Sequence, residues 1–373
     1  MEYSAQHRRA QLILSKAAVA HNIQVIKANA DAKVIMAVIK ANAFAHGLAE
    51  MAELSVAGGA TRFGVALLDE ALALRELGYQ LPIDVLGLTQ AGDTKLAAEL
   101  DITLAVSSVA TLQAILAELD GTDLRLRVSL PVDTGLNRIG FKTRAELVQA
   151  IELLQGDAHV IYQSLWTHFA TADTPNEAYV DFQVAEWDRL THDLPAQPLE
   201  QHFANTGIAT WYPNKVNTDI IRLGVGLYGL DSSEPTMPMP FALAPVLSLT
   251  AAVSFSKPVH AGEHVGYGAT YVVSHDGWLV TLPLGHADGY PFNADGMRVL
   301  FANGAVGQIV GGVAMDQMMV FVAQEVLVDT VATLIGRVED AEITLGMLAE
   351  YTQTNIMAVM NRFAPRLKRV IGE

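Results

Sequence analysis

Across the first two thirds of the chain, short apolar runs rich in Val, Ile and Leu alternate with amphipathic stretches, and the runs carry no polar face. Strands of a parallel sheet covered on both sides show this pattern, because neither face meets water. Eight runs are predicted as strands: Lys33–Ile39, Arg62–Leu68, Ile83–Leu88, Ile102–Val106, Leu124–Val132, Ile161–Thr167, Gln201–Asn205 and Ile220–Gly224. Helical periodicity falls between them, at Lys16–Asn29, Asp69–Leu77, Val109–Leu119, Arg144–Leu154 and Tyr179–Leu190. Ser15, Ser108 and Thr143 stand where a hydroxyl can cap the first free amides of three of these helices. Eight β/α units in about 220 residues predict a closed (β/α)8 TIM barrel, with functional residues just after the strands at its C-terminal mouth. No Gly-x-Gly-x-x-Gly turn follows the first strand, so a doubly wound open sheet fits less well.

From Phe241 onward the runs shorten, alternate and are separated by turn residues, as in a mostly antiparallel β domain. Its candidate strands are Val246–Ser254, Glu263–Val265, Trp278–Leu284, Val299–Ala302, Val306–Gly311 and Met318–Ala323, followed by helices at Leu345–Tyr351 and Asn355–Phe363. The expected organisation is thus a barrel over residues 1–240 and a β domain over 241–373, about the first ten residues being candidates to pair with the β domain instead.

Composition narrows the function. Among 373 residues, 24 Lys+Arg face 40 Asp+Glu for a formal charge of -16, which argues against nucleic acid and anionic membrane surfaces as partners. There is no Cys, so thiol nucleophiles, disulfides and thiolate metal sites are excluded, and no metal centre is expected. The N-terminal stretch is polar and charged, and the longest apolar run, Phe241–Phe255, is broken by Pro245 and several Ser and Thr. These features lead to the expectation of a soluble, cytoplasmic protein.

The chemistry is expected where strands end. The first runs through Val38-Ile39-Lys40 into Ala41-Asn42-Ala43-Phe44-Ala45-His46-Gly47, and a lysine at the end of an apolar barrel strand is desolvated and suited to Schiff-base formation. A snorkelling strand-end lysine is the blander alternative for such a residue taken alone. The fifth strand leads into Asp133-Thr134-Gly135-Leu136-Asn137-Arg138-Ile139-Gly140, the sixth ends at Thr167-His168, the seventh at His202-Phe203-Ala204-Asn205-Thr206, and the eighth carries Arg222 before Gly224-Val225-Gly226. Either histidine could by itself be a hydrogen-bonded core residue. Thr206 and the Gly224-Val225 turn offer the hydroxyl and amides with which the last loops of such barrels hold phosphate. A lysine, a flat stacking ring and a phosphate cradle together point to pyridoxal phosphate.

With these motifs in order along the chain, the sequence resembles the alanine racemase family. The resemblance implies that Lys40 carries pyridoxal 5'-phosphate, that Arg138 sits near the cofactor oxygen and the substrate carboxylate, and that His168 stacks on the pyridine ring. It places Arg222 against the pyridine nitrogen, keeping it unprotonated, and Asn205, Thr206, Gly224 and Val225 around the phosphate. In the β domain it extends to Val265-Gly266-Tyr267-Gly268 and Ala314-Met315-Asp316-Gln317. It implies that Tyr267 is the second acid/base, reaching the barrel mouth of the other subunit of a homodimer, and that the Met315 amide meets the substrate carboxylate. The implied activity is racemisation of L-alanine to D-alanine for peptidoglycan by Lys40 and Tyr267 acting on opposite faces. The alternatives are a serine or broad-specificity racemase, or a catalytically weak cofactor carrier.

The chain departs from the family pattern in places. Phe44-Ala45 replaces the usual Tyr-Gly, and Pro131 stands where many members carry a carbamylated lysine that steadies the arginine. Around the substrate entrance, His286 replaces a tyrosine, and Phe292 and Gly312 each replace an arginine. These departures touch the entrance and the supports of the site and leave Lys40, His168, Arg222 and Tyr267 in place.

Overall fold

The computed structural model describes residues 6–233 and 236–373. Contacts divide the chain into two units, one comprising Ala17–Ala43 and Met51–Pro245, the other the N-terminal segment through Lys16, Phe44–Glu50 and Val246–Glu373.

The first unit is a sheet of eight parallel strands wound as a TIM barrel. In chain order the strands are Val34–Val38, Arg62–Val65, Ile83–Leu88, Ile102–Ala105, Leu126–Pro131, Val160–Trp166, Glu200–His202 and Ile220–Leu223. All eight lie within or beside the predicted runs. The first strand pairs with the second and also with the eighth, where Met36 lies opposite Arg222. The seventh meets the eighth through a single bridge between Asn205 and Arg222, with the Arg222 amide donating to Ala204 O at 2.9 Å. At the N-terminal ends of the strands Arg62 pairs with buried Asp84 at 2.8 Å and with Glu200. Ser108 and Thr143 cap their helices by accepting from the Thr111 and Glu146 amides. Ser15 directly precedes the helix Lys16–Asn29 and also ends the strand Ala10–Ser15, where its hydroxyl donates to Glu373 O.

The second unit is built on a mostly antiparallel ten-stranded sheet. Ala10–Ser15 lies within it, antiparallel to Leu247–Ala252 and parallel to Lys368–Gly372. The predicted strands appear as Leu247–Ala252, His264–Val265, Gly277–Leu282, Arg298–Phe301, Val306–Val313 and Met318–Val322, and the helices as Leu345–Tyr351 and Ile356–Met360. Val259, Val265, Val273, Leu279 and Val310 form an apolar cluster under Tyr271, Met319 and Phe321. Among the described residues no helix is long and apolar enough to cross a membrane, and no group of three or more metal-ligating side chains converges.

Candidate active site

The chain does not simply loop out after Lys40. Ala41, Asn42 and Ala43 take φ of 54°, 52° and 53°, and positive φ continues through Phe44 and Ala45, a left-handed turn without a glycine. For L-residues this conformation costs roughly 1–2 kcal/mol each and persists only where the surroundings impose it. Two bonds within the barrel unit do so: the Ala43 amide donates to Ile39 O at 2.9 Å, and the Ala41 amide to Glu70 Oε1 at 2.5 Å. Burial lowers the Lys40 ammonium's pKa, Arg138 lowers it further, and Glu70 opposes them. A lysine so placed yields its neutral, nucleophilic amine more readily than one in water.

Arg222 is 3% exposed, and its guanidinium is saturated with acceptors. One terminal nitrogen donates to His202 O at 2.6 Å and His202 Nδ1 at 2.8 Å; the other donates to Thr167 O at 2.6 Å, Phe203 O at 3.0 Å and His168 Nδ1 at 3.4 Å. Arginine can only donate, so both Nδ1 atoms accept and the histidines are neutral, with their protons on Nε2. His202 Nε2–H then donates to Ser164 Oγ at 3.2 Å. Burial and the neighbouring cations Arg222, Arg138 and Lys40 push His168 down to about 3; burial with Arg222 and Arg62 pushes His202 well below its ordinary value. Arg222 itself falls to about 9 through burial, which Asp84 opposes and Arg138 reinforces. The sixth strand also contributes Trp166, whose ring lies 5.2 Å below the guanidinium and stacks with His202.

The loop of Arg138 is organised by Asp133, whose Oδ1 accepts from the Gly135 and Asn137 amides at 3.0 and 2.9 Å. Pro131 closes the loop's base, its carbonyl accepting from the Phe141 amide at 2.9 Å. Arg138 is exposed at the loop's end, and its charge acts on Lys40, His168 and Arg222. Asn205 caps the helix Thr206–Trp211 by accepting from the Ile208 amide. Thr206 Oγ1 accepts from the Gly224 and Gly226 amides at 3.2 and 3.3 Å, which draws the turn containing Val225 against that helix. A Cβ on Gly224 would meet nothing within 4 Å, so the space before this turn is open. Sequence reasoning missed Glu70 and the buried Gln183, which holds Thr134 Oγ1, His168 O and the Ala170 amide. Nothing local marks Gln183, because its three partners come from other elements.

In the sheet unit, Tyr267 opens a turn between Gly266 and Gly268, at φ of 81° and 72°. A Cβ on Gly266 would lie 1.9 Å from Gly311 O, so only glycine fits this close approach. The Tyr267 side chain is 85% exposed. Met315, 59% exposed, sits in a turn latched to the segment bearing His286: the His286 amide donates to Ala314 O and the Ala287 amide to Met315 O, both at 3.0 Å. Arg366 ties the two together, donating to buried Asp288 at 2.7 Å and to Asp316 at 2.5 Å, while Arg8 also pairs with Asp288. His286 stands edge-on to exposed Phe292 with ring centroids 5.7 Å apart, and Gly312 has open space beside it. Phe44 and Ala45 are buried, Ala45 O accepting from Arg369 at 2.8 Å. The barrel unit therefore gathers Lys40, Arg138, His168 and Arg222 into one electrostatic neighbourhood, with the Asn205, Thr206 and Gly224 cradle attached to the same strands. Tyr267 and Met315 lie on the other unit.

Comparison with known proteins places both units. The family model "Alanine racemase, N-terminal domain" matches residues 14–232, and "Alanine racemase, C-terminal domain" matches 246–371. The alanine racemase of Levilactobacillus brevis is 41% identical over 367 residues, covering 98% of each chain. A solved histidine racemase from Leuconostoc mesenteroides subsp. sake is 62% identical, covers 100% of both chains and superposes with a TM-score of 0.98. The alanine racemase structure from E. faecalis is 37% identical, covers 99% of this chain and 100% of that one, and has a TM-score of 0.93.

Proposed function

The chain belongs to the alanine racemase family and is a pyridoxal-phosphate-dependent amino-acid racemase, and from that premise we propose that histidine is its preferred substrate. The observation that carries this reading is the 62% identity to the histidine racemase over the whole of both chains. The substitutions expected at the entrance, with His286 and Phe292 forming an edge-to-face pair, support a side chain larger than a methyl group. Alanine is the second reading, favoured by curated relatives named alanine racemase at 37–41% identity; the supply of D-alanine to peptidoglycan goes with it. Initial rates with L-histidine, L-alanine and L-serine, read by chiral chromatography, decide among them. We expect kcat/KM for histidine to exceed that for alanine by at least about tenfold, a difference of about 1.4 kcal/mol in transition-state binding. The reverse order establishes the alanine reading, and comparable rates for all three the broad-specificity one.

The barrel residues fit the cofactor on their own chemistry: a lysine with a lowered pKa, two neutral histidines, a buried arginine and an open glycine cradle beside a helix start. In this proposal Lys40 would bear the cofactor, Arg222 would meet its ring nitrogen, His168 would pack on its ring, and Asn205, Thr206, Gly224 and Val225 would hold its phosphate. When bound, the cofactor supplies an electron sink for the pair left behind as the substrate's α-proton departs. Arg222 keeps its own protons because its acceptors are carbonyls and neutral imidazoles. Lys40 Nζ takes or returns the α-proton on one face, and the hydroxyl of Tyr267 from a second copy does so on the other. Arg138 and the Met315 amide orient the substrate carboxylate. A homodimer and a cytoplasmic location are part of the same proposal; the bare cofactor-carrier alternative is superseded by the match to both family domains.

A further inference from the structure

Glu70 occupies the first turn of the helix Leu68–Glu76, where a carboxylate ordinarily serves the helix alone. Its Oε2 does this, accepting from the Ala66 and Leu67 amides at 2.8 and 3.2 Å. The other oxygen is spent elsewhere: Oε1 accepts from the amide of Ala41, the residue after Lys40 and 29 positions back in the chain. We propose that Glu70 is a positioning residue for Lys40, fixing the left-handed turn that presents the lysine and supplying a negative charge against it. The inference rests on the reading of Lys40 as the cofactor-bearing base.

Two observations converge on it. The turn runs through five consecutive L-residues at positive φ, Ala41 to Ala45, and the Glu70 carboxylate supplies a bond at its first amide. The groups that bear on Lys40 include the charges of Arg138 and Glu70, and neutral His168 feels the charge of Lys40 in turn. Of the two charges, Arg138 drives Lys40 towards the neutral amine and Glu70 holds it back. The same carboxylate also bears on Tyr228, whose phenol is pushed well above its ordinary value mainly by burial. Glu70 thus sets both where the amine points and how readily it gives up its proton.

The test uses the full chain after the cofactor has been stripped with hydroxylamine. Lys40 is methylated with formaldehyde and cyanoborohydride across a pH series, and its peptide is quantified by mass spectrometry. Glu70→Gln retains an acceptor for the Ala41 amide and loses the charge, so the midpoint of Lys40 reactivity should fall by about one pH unit. Glu70→Ala loses both, and amide hydrogen exchange over residues 41–43 should accelerate by about tenfold or more. Glu76→Gln, on the exposed face of the same helix, should change neither readout. An unmoved midpoint in Glu70→Gln, or exchange over 41–43 in Glu70→Ala no faster than in the wild type, overturns the proposal. Should Glu70→Ala fail to fold, Glu70→Gln still decides through its midpoint. If Lys40 is not the cofactor lysine, borohydride reduction of the cofactor-loaded wild type leaves the pyridoxyl group on a peptide other than that of Lys40 while both readouts stand, so the two failures are distinguishable.

Discussion

Arg222 in the barrel unit and Tyr267 in the sheet unit both occupy positions assigned to the chemistry, yet the first is 3% exposed and the second 85%. Arg222 is held by its side chain: three carbonyls and two imidazole nitrogens fix the guanidinium, and through it the protonation of His168 and His202. Tyr267 is held by its backbone. Gly266 pressed against Gly311 sets the direction of the turn, and the phenol projects outward from it. A group that must keep one charge state is best buried among partners. The proposed role of Tyr267, acting on a second copy, suits a group left exposed on such a turn, where its ring adds little to folding.

Stability measurements sharpen this contrast. The largest effect is expected for Arg222→Leu, which orphans buried carbonyls and leaves Asp84 facing one cation fewer; urea unfolding should show a loss of about 3–5 kcal/mol. A loss below about 1 kcal/mol would mean that the network is less determined than its geometry indicates. Gly266→Ala comes next, at about 2–4 kcal/mol, because a Cβ meets Gly311 O while φ remains positive. If it costs nothing, the turn is not rigid and the contrast fails.

The third effect concerns pH. His168 has a folded pKa of about 3 against an ordinary 6.5, so between these values the unfolded chain binds the extra proton. The contribution of His168 is therefore fully present above pH 6.5 and is lost as pH falls towards 3, by about 1 kcal/mol per pH unit. Unfolding of His168→Gln measured at several pH values between about 4 and 6 should show a slope shallower by that amount than the wild type; equal slopes would mean that His168 charges freely in the folded state. The smallest effect belongs to Tyr267→Phe, with stability within about 0.5 kcal/mol of wild type. In isotope-exchange assays the same variant should impair α-proton abstraction from one enantiomer far more than from the other, and equal losses would break the two-base assignment.

Much of the barrel was legible because its strands are buried on both sides and read as uninterrupted Val, Ile and Leu runs between polar breaks. Ser108 and Thr143 were legible as caps because capping is local. The sheet unit was less so. Phe255–Val259 contains Pro258 and is largely exposed, so it lacks the pattern of a strand. Ala10–Ser15 draws both its neighbours from the far end of the chain, Leu247–Ala252 and Lys368–Gly372. The turn after Lys40 was illegible in another way, since Ala41 and Ala43 give no hint of positive φ and the bond at its first amide comes from Glu70. Residue types marked Lys40, His168 and Arg222 as candidates; their partners became apparent only through tertiary contacts.

The barrel closes with Met36 on the first strand opposite Arg222 on the eighth. On the ribosome, the strand leading to Lys40 emerges early and waits for the rest of the barrel to be translated, on the order of 10 s or more at ordinary elongation rates. Throughout that interval the nascent chain carries its lysine without the arginine, the Asn205 cap or the Gly224 turn. In the proposed site, cofactor loading is accordingly an event of the finished barrel, and a translation product that stops before Asn205 carries Lys40 without the cap, the turn or the buried arginine of that site.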